Sequence, residues 1–146
     1  MADLIRKRLT GKEEGFTLIE LLVVIVILGI LMAIAVPSYM GFRDRAQRAA
    51  AQSNVRAALP SAEAYYSDNN DYAFSKTASG GVAATPKAAL QSYDAGLAAS
   101  VHVAAIAGNA TYCLSDKQGT YVARVVGPQG AAGAAPMTVN KTNAEC

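Results

Sequence analysis

From Phe16 to Val36 the chain offers almost nothing but apolar side chains, and Pro37 closes the run. As a helix these residues measure about 31 Å at ~1.5 Å per residue. That matches the ~30 Å hydrocarbon thickness of a bilayer, so the run is long enough to span a membrane. One residue breaks the pattern. Glu20 lies a single turn in from Phe16, with no basic residue near it in the run. An ionised carboxylate costs roughly 2.5–3.5 kcal/mol at a helix centre on insertion scales, and less near an interface. Such an acid calls for a partner. The nearest candidate cation does not exist in the intact chain. It would appear if the backbone were cut after Gly15, giving Phe16 a free amine.

What precedes the run orients it. Residues 1–15 carry Arg6, Lys7, Arg8 and Lys12 against Asp3, Glu13 and Glu14. By the positive-inside rule this segment stays cytoplasmic and the remainder faces outward. A secretory signal has its cleavage site after the apolar region. Here Gly15 comes before it, so cutting there would retain the apolar helix. The plain alternative is an N-terminal anchor with a polar tail. The whole chain has 146 residues and net charge +2, enough for one domain. Residues 16–146 hold 13 − 4 = 9 basic and 11 − 3 = 8 acidic residues. A nearly neutral chain with no basic stripe argues against nucleic acid as a main ligand.

Beyond Pro37 the helical pattern continues. Phe42, Ala46 and Ala49 step by four and three, and Val55, Leu59, Ala62 and Tyr66 by four, three and four. These residues are expected to form the packed face, with Arg43, Asp44, Arg45, Arg48 and Arg56 pointing elsewhere. Gly29, Pro37 and Pro60 are the weak points. Glycine costs about 1 kcal/mol in a helix interior, and proline removes a backbone hydrogen bond. Pro60 is expected to bend the helix rather than end it, because Ser61–Tyr66 resume helical composition. One helix of roughly fifty residues therefore runs from Phe16 to Ser67, and Asp68-Asn69-Asn70-Asp71 ends it with turn formers.

Residues 75–96 read as a long loop, with a short helix at Lys87–Gln91. Strands follow at Val101–Ile106, Thr111–Ser115 and Thr120–Val126, with an edge strand at Met137–Val139. Gly108-Asn109 reads as a two-residue hairpin turn, and Asp116–Gly119 as a second turn. Gly127-Pro128-Gln129-Gly130 stops the third strand. A sheet this small is marginal alone, so one face must cover the helix. The divisions are 1–15 (leader), 16–37 (apolar helix half), 38–67 (amphipathic half), 68–100 (connecting loop) and 101–146 (sheet and C-terminal loop).

Catalytic and metal chemistry find no foothold. His102 stands alone in a strand, no serine or cysteine lies in a nucleophile motif, and no Cys/His cluster has metal spacing. No glycine-rich phosphate loop precedes a helix. The acidic turn at 68–71 lacks the spacing of a calcium loop. No catalytic residue, metal or cofactor is expected.

Gly15-Phe16-Thr17-Leu18-Ile19-Glu20, followed by the apolar run, resembles the prepilin signature of type IV pilins and type II secretion pseudopilins. The likeness is strong from about Lys12 to Met40. It implies an α+β pilin fold, with one long N-terminal helix packed on a small antiparallel sheet. It also implies cleavage after Gly15 by a prepilin peptidase, N-methylation of Phe16, and a role for Glu20 in neutralising a neighbour's amino terminus. Local loss of helix between Gly29 and Pro37 in the filament is a further implication. The implied partners are other copies of the chain, the peptidase, an inner-membrane platform and an assembly ATPase. The precursor would reside in the inner membrane and the product in a surface pilus. Two cysteines, Cys113 and Cys146, lie on the outward side of the span, where a disulfide is permitted. The pair resembles the disulfide-bounded C-terminal loop of many type IV pilins, and the alternative is two reduced thiols. Nothing matches the calcium-site loop that pseudopilins often carry near the C-terminus, so a pilus is favoured over a pseudopilin. Outside the family, the alternative is a membrane-anchored binding domain that never polymerises.

Overall fold

A computed structural model describes residues 15–106, 109–128, 134–142 and 144–146. The leader expectation for residues 1–14, the Gly108 turn position and the Gln129-Gly130 stop lie outside the described residues. The first helix, α1, runs without interruption from Leu18 to Asn69, through Gly29, Pro37 and Pro60. Asn70, with φ +57°, takes the left-handed conformation just past its end, and its N–H bonds the Tyr66 carbonyl at 2.7 Å. This is how a helix C-terminus satisfies a carbonyl that has no partner in the helix. The residues up to Gly41 and those from Phe42 onward form separate compact units.

In the first unit α1 buries nothing. Leu22, Val24 and Leu28 are about half exposed, and Ile34 is 71% exposed. In the second unit α1 buries Ala51, Val55, Ala58, Ala62 and Tyr65, a set spaced by four and three. The expected face is therefore offset. Val55 and Ala62 belong to it, but Phe42 and Tyr66 are exposed and Leu59 is only partly buried. Ala46 and Ala49 of the expected face are exposed as well; the spacing was right, and the buried set starts from Ala51 instead of Phe42.

The sheet is a four-stranded antiparallel meander in the order β1-β2-β3-β4, formed by Val101–Ile106, Thr111–Gln118, Tyr121–Gly127 and Ala135–Asn140. A short helix, α2, spans Pro86–Gln91. Thr85 caps it by accepting the Ala88 N–H, and Pro86 stands where a missing N–H costs nothing. Ile106 pairs with Thr111 across the β1–β2 connection, where Asn109 has φ +68°. One expected turn is displaced. Gln118 pairs with Tyr121, so the β2–β3 turn is Gly119-Thr120. Gly119, at φ +59°, takes the left-handed position that a tight hairpin demands. Asp116 and Lys117 are then strand residues, and Asp116 is fully buried.

Register sorts the faces. Tyr112, Leu114 and Asp116 face the same way as their cross-strand partners Gly127, Val125 and Ala123. With Val101 they join the buried alanines of α1 in one core. Gly127 has a specific reason to be glycine, since a Cβ there would collide with the Tyr112 ring. Cys113 and Ser115 point to the opposite face yet are also buried, because the C-terminal residues cover them. Pro136 sits in β4, an edge strand, where a missing donor is tolerated.

Candidate functional site: the amino-terminal helix start

The local sequence dictates how α1 begins. Thr17 precedes the first helical residue, and its hydroxyl accepts the Glu20 N–H at 3.3 Å. The same hydroxyl donates to Glu20 Oε2 at 3.4 Å. This Thr-x-x-Glu arrangement is a variant of the capping box, with the carboxylate on the hydroxyl instead of on the backbone N–H. The carboxylate also lies in the first turn, where the helix dipole favours negative charge. Gly15, Phe16 and Glu20 thus fall within about one turn of one another. Phe16 is 78% exposed. A Cβ at Gly15 or Gly29 would meet nothing within 4 Å. This chain's own packing asks for glycine at neither place.

Of the remaining sequence-derived positions, Gly29 and Pro37 lie further along the unburied part of α1, and Pro60 is on its exposed face in the second unit. Cys113 and Cys146 are joined as a disulfide, with Cα atoms 5.8 Å apart. The Cys146 N–H donates to Ser115 Oγ at 3.0 Å, and Glu145 lies 3.4 Å from His102 and 3.7 Å from Lys117. Among the described residues no group of three or more His, Cys, Asp or Glu could hold a metal ion.

Sequence reasoning missed two carboxylates. Glu63 accepts from Tyr112 Oη at 2.8 Å and from Tyr72 Oη at 3.0 Å, tying α1 to β2 and to the connecting loop. Burial, and secondarily the Glu63 carboxylate, push both phenols well above the usual tyrosine range. The two rings pack at 4.7 Å between centroids, within a cluster that includes Tyr65, Phe74 and Tyr93. Asp116 accepts from Asn54 at 3.0 Å and from Gln118 at 3.1 Å. The only signal for Glu63 was its position as the one acid between Asp44 and Asp68 in a tyrosine-rich neighbourhood.

Comparison with known proteins finds similarity over part of the chain. Residues 11–36 match the family described as the prokaryotic N-terminal methylation motif. The chain is 37% identical over 65 residues to the type IV major pilin protein PilA of Myxococcus xanthus, covering 44% of this chain and 30% of that protein. It is 42% identical over 65 residues to the type II secretion system core protein G of Escherichia coli, covering 44% and 45%. For the core protein G of Aeromonas hydrophila the figures are 44% over 61 residues, 42% and 43%. The chain thus spans less than half the length of these relatives. No solved structure matches. The likeness to type IV pilins and type II secretion pseudopilins thus covers less than half of the chain, with the methylation motif at its amino-terminal end.

Proposed function

We propose that the protein is a structural subunit of a type IV pilus. The precursor is anchored by the apolar helix, cut after Gly15, N-methylated at Phe16 and polymerised into a helical filament. One observation carries the reading: the first half of α1, apolar on all sides, long enough to cross a membrane and unburied, begins with a carboxylate. Once helices pack side by side, that carboxylate must be protonated or find a cation. The amine of Phe16 supplies one. A neighbour's amine would also fix the axial step between subunits, which the amine of the same chain cannot do. Gly29 and Pro37 bracket the stretch proposed to unwind in the filament. The partners in this reading are other copies of the chain, a prepilin peptidase, a membrane platform and an assembly ATPase.

A second reading, a type II secretion pseudopilin, is favoured by the matches to core protein G over alignments of similar length. The Cys113–Cys146 link, which encloses the last part of the sheet, supports the pilus. The test is electron microscopy of sheared surface filaments with mass spectrometry of their subunit. Filaments whose subunit begins at N-methylated Phe16 are expected, and Gly15→Val should leave uncut precursor in the membrane. Peptides from Met1–Lys12 in assembled filaments would sink the reading. Loss of exoprotein secretion without loss of surface filaments on deletion would transfer it to the pseudopilin.

A further inference from the structure

We infer that the Cys113–Cys146 disulfide is a thiol-exchange site of fixed polarity, at which a low-molecular-weight thiolate bonds to Cys146 and Cys113 leaves as a thiolate held by Arg124. The inference concerns the globular unit alone and stands whether or not the chain polymerises. Strand register brings the cation to the sulfur. Ser115 lies opposite Arg124 and Cys113 opposite Val126, so Arg124 and Cys113 are diagonal neighbours on one face of the sheet. Arg124 Nε donates to Cys113 Sγ at 3.3 Å. Among the described residues no carboxylate lies within ion-pair distance of Arg124, so no acid competes for its charge.

The two half-cystines sit in unlike surroundings. Cys113 is inside β2 and 1% exposed, whereas Cys146 is the last residue and exposed. Access favours attack at the exposed chain end over attack at the buried strand residue. Leaving-group stability acts in the same direction. A guanidinium beside a sulfur favours its thiolate form, and a better-stabilised thiolate leaves faster. The step is one substitution. The entering thiolate forms a bond to Cys146 Sγ, the Sγ–Sγ bond breaks, and its electron pair stays on Cys113, which accepts the Arg124 Nε–H. The entering sulfur is oxidised, Cys113 Sγ is reduced, and no proton moves. What then holds the chain end is slight. The Cys146 N–H still reaches Ser115 Oγ, and Glu145 lies between His102 and Lys117, whose side chains are more than half exposed. Exposed ion pairs contribute little. The mixed disulfide therefore releases the C-terminal residues that cover Cys113 and Ser115, and the Cys113 thiolate can reverse it by attacking Cys146 again.

The test treats the full oxidised chain, in detergent micelles, with reduced glutathione at neutral pH. Acid quenching stops exchange, and peptic mapping by mass spectrometry locates the glutathione. At early times the adduct should be on Cys146, with Cys113 as the free thiol. Loss of a charge-assisted hydrogen bond to the leaving thiolate should slow opening about tenfold in Arg124→Gln, and Arg124→Lys should restore most of the rate. A merely structural Arg124 gives the opposite sign, because a loosened sheet exposes the bond and speeds its opening. Glutathione on Cys113 overturns the inference. So does an Arg124→Gln variant that opens as fast as the parent or faster, or an Arg124→Lys variant as slow as Arg124→Gln. A disulfide that dithiothreitol opens and glutathione leaves intact overturns it too, as do two free thiols in the exported protein.

Discussion

The two halves of α1 share one backbone conformation and opposite ways of using apolar surface. The half before Gly41 carries leucine, isoleucine and valine on every side and buries none of them. The half after it carries alanine on one side and buries it completely. Side-chain size, more than hydrophobicity, separates the two. Alanines at 51, 58 and 62 share one core with residues of the sheet of the same chain. Large branched residues all round fit any apolar surroundings, and so suit the proposed lipid and filament settings alike.

The largest test of this contrast is Glu20→Leu. Removing one partner from a buried charge pair costs on the order of 3–5 kcal/mol, repeated at every subunit of a polymer. The variant is expected to remain in the membrane with an unchanged thermal midpoint for the globular unit, and to form few or no filaments by electron microscopy. Normal filaments would defeat the role given to Glu20. Next in size is the disulfide. In the chain-entropy model a loop with a sequence separation of 33 is worth about 4 kcal/mol. Cys113→Ser with Cys146→Ser should lower the denaturation midpoint accordingly while leaving the α1 start untouched. A paired substitution probes the contrast directly. Ala58→Leu should overpack the core and cost about 1–3 kcal/mol, whereas Ala33→Leu should leave the midpoint of the globular unit where it was. Equal effects at the two alanines would erase the distinction.

The smallest effect at ordinary pH comes from Tyr72 and Tyr112. Their phenols titrate higher in the folded protein than in the unfolded chain, where the value is about 10. The folded state therefore holds protons that the unfolded state releases. This stabilisation is complete below about pH 10 and is lost as pH rises further, at about 1.4 kcal/mol per pH unit for each tyrosine. Urea melts between pH 9 and 11.5 should show it, with a shallower slope for Tyr72→Phe. A pH-independent midpoint across that range would remove Glu63 and its two tyrosines from the account of the core.

Legibility in the sequence followed how local each signal is. The apolar run is a contiguous pattern, and β1 was readable to the residue because valine and isoleucine bound Val101–Ile106. Asp116 and Lys117 looked like turn chemistry, and only pairing with Ala123 and Val122 makes them strand. Glu63 is an ordinary helix acid until Tyr72 and Tyr112 arrive from distant sequence. The cysteine pairing had no local pattern at all and was suggested by resemblance alone. Glu20 stood out in the sequence as an acid in an apolar run, while the roles proposed for Gly15 and Glu20 came from resemblance.

Tyr65 sets where this domain admits change. Its hydroxyl accepts the N–H groups of Ser75 at 2.9 Å and Lys76 at 3.3 Å, pinning the start of the long connecting loop to the core. A few residues later the chain folds back on itself, with Thr77 and Gly81 bonded to each other and Val82 91% exposed. Drift, inserted epitopes and added length should therefore be tolerated at Ala78–Gly80 and rejected at Ser75 and Lys76. Sequence change at that tip leaves the buried face of α1, and the tyrosine cluster it anchors, as they are.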